Sequence, residues 1–169
     1  MQEISFRNDI LPLKDKLYRL ALRIVWDSAE AEDIVQDTMI RVWNKREDWR
    51  TFGSIEAYCL TVAKNLAIDR SARSEMYNEE LTPDSQQIAE VSTPESKYER
   101  DEQLRIVHRL INELPQKQRI ILQLRDIEGK TYKEIAGILQ ITEDQVKVNL
   151  FRARQRIKLK YEEINDYGL

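Results

Sequence analysis

Near the C-terminus, Lys147, Asn149, Arg152 and Arg154 crowd into one short stretch, "VKVNLFRAR". Lys and Arg bind phosphates or fork onto a guanine edge, and Asn pairs with adenine in the DNA major groove. Val146, Leu150, Ala153, Ile157 and Tyr161 recur around them at helical spacing and form one inward stripe. Lys147, Val148, Asn149, Arg152 and Arg154 fall off that stripe, so they are expected on an exposed face in the first half of a helix from Glu143 to about Glu163. Other chemistry is poorly served. The "GKT" at 129–131 lacks the earlier glycine of a phosphate-binding loop, since Leu124 stands there. His108 has no nucleophile or metal partner at useful spacing. Cys59, the one cysteine, builds neither an internal disulfide nor a zinc site with one His, and reads as a small core residue. No catalytic residue, metal, cofactor or small-molecule substrate is expected.

The elements that must position the basic face are legible from their caps. Thr131 with Glu134, and Thr142 with Gln145, are spaced as capping boxes. They predict a helix over 132–139, a corner "QIT" and the final helix. Small Ala136 sits where the two helices would cross. Short helix, corner, longer helix with a basic face is helix-turn-helix geometry. The corner has no glycine, and an ordinary helical hairpin with a solvated charged face is the alternative. Upstream, Leu104, Val107, Leu110, Ile111 and Leu114 form a stripe. Pro115 ends that helix and can start the next, over 116–127, with Gly129 as its left-handed cap.

The first part of the chain is also helical. Residues 4–26 carry a stripe including Leu13, Leu17, Leu20, Ala21, Ile24 and Val25. Asp27 or Ser28 caps a second helix whose apolar face is Ala31, Ile34, Val35, Thr38, Met39, Val42 and Trp43. After the polar loop "NKREDWRTFG", Ser54 caps a third helix with Ile55, Tyr58, Val62, Leu66 and Ala67 inward. Residues 76–100 hold Pro83, Pro94 and several Ser, Thr and acidic residues, and read as a linker between two domains; a long surface loop is the alternative.

Composition agrees. The 169 residues hold only 4 Gly and 4 Pro, and helix formers dominate, so the fold class is all-α: two small helical domains joined by a flexible acidic linker, the C-terminal one with a helix-turn-helix. No apolar run approaches the roughly 20 residues of a membrane span. The first residues have no signal-peptide core, which fits a cytoplasmic protein. The net charge of −3 is unevenly spread: residues 76–100 are net −4, whereas 130–160 hold 8 basic and 3 acidic residues. An acidic protein with a local basic patch can bind protein on one face and DNA on another.

Four stretches in order, "AEAEDIVQDTMIRVW" (29–43), "YCLTVAKNLAIDRSAR" (58–73), "LPQKQRIILQLRDIEGKTYKEIAGIL" (114–139) and "VKVNLFRARQRI" (146–157), resemble the sigma factors of bacterial RNA polymerase, most of all the extracytoplasmic-function (ECF, group IV) type. The resemblance implies a first domain, 1–75, that binds the polymerase clamp and recognises and melts the minus-ten element. It implies a second domain, 101–169, that recognises the minus-thirty-five element, with the linker 76–100 between. By motif position, Asp33, Gln36 and Asp37 would dock on the β′ clamp. Asn65 and Asp69 would read and melt the minus-ten element, with Arg70 and Arg73 on the backbone. The loop 46–54 would receive a flipped base, with Trp49 and Phe52 as aromatic surface; a hydrophobic lid on the core is the other reading of that pair. Lys147, Val148, Asn149, Arg152 and Arg154 would contact the minus-thirty-five duplex, although Val148 and Asn149 stand where small polar and basic residues are common. The implied partners are core RNA polymerase (β and β′ subunits), promoter DNA and an anti-sigma factor. A stand-alone dimeric helix-turn-helix regulator is the rival reading.

Overall fold

The computed structural model describes residues 3–77 and 98–166, with side chains over 3–74 and 101–166. No strand occurs among them. The helices fall into two compact units, an N-terminal and a C-terminal one. Most of the expected linker, 78–97, lies outside the described residues. Its edges are helical, because the third helix runs to Tyr77 and the fourth begins at Tyr98.

In the N-terminal unit, helix α1 spans Lys14–Val25, α2 Ser28–Asn44 and α3 Ile55–Tyr77. The expected helix from residue 4 is not continuous. A π-type turn, Phe6–Ile10, and a 3-10 turn, Leu11–Leu13, precede α1. Pro12 accounts for the break, since it lacks the N–H that a regular helix would use. Asp27, not Ser28, caps α2, accepting from Glu30 N at 3.1 Å. Trp26 makes the turn between α1 and α2 in the left-handed region (φ 58). The polar loop after α2 is partly ordered as a 3-10 turn, Arg46–Thr51.

All three helices pack on one another around Leu17, Leu20, Ala21, Ile24, Ile34, Val42 and Leu60. Ser54 caps α3 as expected, accepting from Ala57 N at 3.1 Å. The inward face of α3 differs from the predicted one. Cys59, Leu60, Ala63, Leu66 and Ala67 are buried, while Ile55, Tyr58 and Val62 are half-exposed. The buried side differs because apolar residues lie nearly all round α3, and packing against α1 and α2 selects which of them turn inward. Burial pushes the Cys59 thiol up to about 12.

In the C-terminal unit, α4 spans Tyr98–Asn112, α5 Gln116–Leu122, α6 Tyr132–Leu139 and α7 Glu143–Asp166. Helices α4 and α5 pack on α7 through Leu110, Ile111, Ile120, Ile121, Val146, Leu150 and Ala153. Ile157 and Tyr161 continue that stripe half-buried. Leu104 departs from the predicted face and is 55% exposed. Buried Arg119 donates to the Asn112 and Leu114 carbonyls, at 3.1 and 3.3 Å, and so satisfies the end of α4 at the Pro115 corner. The predicted helix over 116–127 is α only to Leu122; Gln123–Ile127 is a π-type turn, and Gly129 closes it with φ 72. Both capping boxes form: Thr131 with Glu134, and Thr142 with Gln145, at 3.0 to 3.3 Å. The glycine-free corner is turned by Gln140 at φ 56, its N–H on the Ala136 carbonyl.

Candidate nucleic-acid and protein interfaces

The α7 face begins one turn inside the helix. Lys147, Val148 and Arg152 are exposed while Val146 and Leu150 point into the core. Tyr132, at the start of α6, lies beside this face. Its ring carries the Arg125 guanidinium at 4.5 Å and the Lys147 ammonium at 5.6 Å from the centroid, which orients both cations. Asn149 is half-buried, and its Nδ2 donates to the Gln145 carbonyl at 2.7 Å. One of its two amide hydrogens is therefore held by its own helix. Arg154 is engaged more fully: Nη2 and Nε donate to the two Asp126 carboxylate oxygens at 2.6 and 3.0 Å. The hydrogen bond to Asp126 raises the guanidinium pKa further. Lys147, Val148 and Arg152 thus share an open face, and Arg154 braces α7 against the turn after α5. Phe151, 67% exposed on the same side, went unnoticed in the sequence. The signal was there, because it falls off the inward stripe beside Arg152.

In the N-terminal unit, Asp33 and Gln36 are exposed and Asp37 is half-buried, all on one side of α2. Ile40 and Trp43, 59% and 46% exposed, continue that side one and two turns on. The expected inward position of Trp43 is therefore not observed. Its ring lies under the Arg46 guanidinium at 4.8 Å and edge-on to Phe6 and Trp49. On α3, Asn65, Asp69 and Arg73 are exposed at successive four-residue intervals, and Asp69 pairs with Arg73 at 3.1 Å. Arg70 does not join them. It turns to α2 and forks between Asp33, at 2.5 Å, and Asp37, at 3.4 Å.

The two aromatic residues of the 46–54 segment separate. Trp49 is 7% exposed, and its Nε1 donates to the Val42 carbonyl at 2.9 Å. It is a lid on the core and offers no open stacking surface. Phe52 is half-exposed and stacks on Tyr58 with centroids 4.1 Å apart and planes 13° from parallel. Tyr58 was expected inward, and its place here follows from the rotated face of α3. Among the described residues, no group of three or more His, Cys, Asp or Glu side chains is arranged to hold a metal ion.

Residues 10–75 match the family Sigma-70 region 2, and residues 104–157 match Sigma-70, region 4. The chain is 32% identical over 160 residues to the RNA polymerase sigma-H factor of Pseudomonas aeruginosa, covering 88% of this chain and 83% of that one. It is 30% identical over 154 residues to the ECF RNA polymerase sigma factor SigW of Bacillus subtilis, covering 86% and 82%. The sigma factor RpoE of Bartonella quintana, solved in complex with the anti-sigma factor NepR, superposes with a TM-score of 0.69 over 93% of this chain and 96% of that one, at 21% identity. CnrH, solved with the cytosolic domain of CnrY, gives 0.64 over 91% and 85%, at 18% identity. Those two likenesses show the shared helical fold. With two sigma regions in order on two helical units, and relatives matched over most of their length, the chain belongs to the ECF sigma factors of RNA polymerase.

Proposed function

We propose that this sigma factor divides its work between its two units. Residues 1–75 bind core polymerase through Asp33, Gln36 and Asp37 on α2, and engage the minus-ten element through Asn65, Asp69 and Arg73 on α3. Residues 101–169 engage the minus-thirty-five duplex through Lys147, Val148 and Arg152, with the Asn149 side chain placed by its bond to the Gln145 carbonyl. Arg154 is assigned to bracing α7, because leaving Asp126 for a phosphate would break a two-pronged ion pair. Phe52, stacked on Tyr58, is the aromatic surface for a flipped base, a platform of the kind that single-strand binding uses.

The observation that carries this reading is the separation of charge by face. The acidic residues of α2 project where a cationic protein surface would fit, and the cations of α7 project where phosphates would. The chain acts as a transcription initiation factor, and the polymerase supplies the chemistry. Work alongside the polymerase would be carried out in the cytoplasm. Separately, no helix of the described residues is long and apolar enough to cross a membrane. An anti-sigma protein is a further partner, by analogy with the two solved complexes.

The test is run-off transcription with sigma-free core polymerase. The purified chain should bind core and start transcripts only on templates carrying its promoter. Binding as a dimer to a palindromic duplex, with no effect on core polymerase, would support a stand-alone regulator instead.

A further inference from the structure

We infer that Arg70 is a positioning residue of the acidic dock on α2 and not a contact to promoter DNA, an inference that rests on Asp33 and Asp37 meeting the polymerase. One residue along a helix turns the side chain by about 100°, so Arg70 leaves the exposed line of Asn65, Asp69 and Arg73 and faces α2. Its side chain is only 23% exposed, against 74% for Arg73. Nη1 reaches Asp33 Oδ2 at 2.5 Å and Nη2 reaches Asp37 Oδ2 at 3.4 Å. A planar guanidinium with several fixed donors can hold two carboxylates at once, which an ammonium cannot do with the same geometry.

Asp33 and Asp37 are four residues apart on one helix, so without Arg70 two like charges would repel on one face. Arg70 takes one oxygen of each carboxylate, leaving the others for an incoming cation. Asp33 stays 62% exposed while held. A basic protein surface therefore meets carboxylates already oriented, and the ordering cost of two side chains is reduced. The same fork ties the dock to α3, the helix that carries the minus-ten residues.

The full-length chain would carry Arg70→Met, Arg70→Lys, Asp33→Asn with Asp37→Asn, and Arg70→Met combined with both Asn changes. Core-polymerase affinity, melting temperature and holoenzyme affinity for a pre-melted minus-ten strand at several salt concentrations would be read. Arg70→Met should weaken core binding about fivefold, a factor at the low end of measured site coupling. Arg70→Lys should restore part of it. The combined variant should bind core no worse than the Asn pair alone, because both remove one interaction. Strand affinity and its salt dependence should stay as in wild type. Unchanged core affinity with a weaker, less salt-dependent grip on the strand would make Arg70 a DNA contact and overturn the inference. So would a lower melting temperature that Arg70→Lys does not relieve. If the Asn pair leaves core affinity unchanged, the dock assignment itself falls and takes the role of Arg70 with it; a weakened Asn pair beside an unaffected Arg70→Met removes only the latter.

Discussion

Arg152 and Arg154 are two residues apart and both exposed, yet their surroundings differ. Arg154 is held by Asp126, and Arg152 projects from the open face with Lys147. Nothing in the local sequence separates them, because the partner lies 28 residues away and only the fold brings it close. Arg70 was likewise legible as a cation on a helix, but its direction depends on the rotation of α3 against α2. Helix caps are set by near neighbours and could be read; long-range ion pairs could not. Arg152→Ala and Lys147→Ala should each leave the melting temperature unchanged and weaken promoter binding by the holoenzyme. Losing one phosphate contact should lower the salt slope by about 0.9, whereas losing a guanine contact should relax preference at one base pair by about 1–3 kcal/mol. Arg154→Ala should instead lower stability by about 0.2–1 kcal/mol, the range for exposed pairs, with little change in salt slope. A salt slope reduced by Arg154→Ala and untouched by Arg152→Ala would reverse the assignment.

Among the elements, the helix-turn-helix was the most legible, because both of its helices are announced by capping boxes that form as spaced. The corner was harder to read. Gln140 adopts a left-handed conformation that usually signals itself by glycine. An L side chain there costs roughly 1–2 kcal/mol, and a glycine brings back roughly 0.5–1 kcal/mol through a more flexible unfolded chain. Gln140→Gly should therefore stabilise the protein by about 0.5 kcal/mol, as read by chemical denaturation, and Thr142→Ala should destabilise it by about 1 kcal/mol. Destabilisation by Gln140→Gly would mean that the side chain earns its place through contacts beyond the corner. The third helix shows the opposite limit. Its apolar residues lie nearly all round, so periodicity leaves the inward direction open, and packing against α1 and α2 selects Cys59, Leu60 and Ala63. The π-type turn at Gln123–Ile127 has no sequence signature apart from the closing Gly129.

For the whole molecule, the uneven charge is the organising fact. A chain of net charge −3 carries an exposed basic run on α7 and an acidic, partly apolar strip on α2. Such a chain should bind DNA weakly by itself, since non-specific affinity follows phosphate neutralisation, and should gain promoter affinity once a partner covers the acidic face. The most direct test is a core-polymerase binding titration with three full-length proteins: wild type, Asp33→Lys with Asp37→Lys, and Lys147→Ala with Arg152→Ala. The division of labour between α2 and α7 requires that the α7 variant bind core as wild type does, and that the α2 variant lose binding by at least about tenfold, the effect of roughly 1.4 kcal/mol, with its melting temperature retained. Equal core binding by all three proteins, or loss through the α7 variant instead, would contradict it.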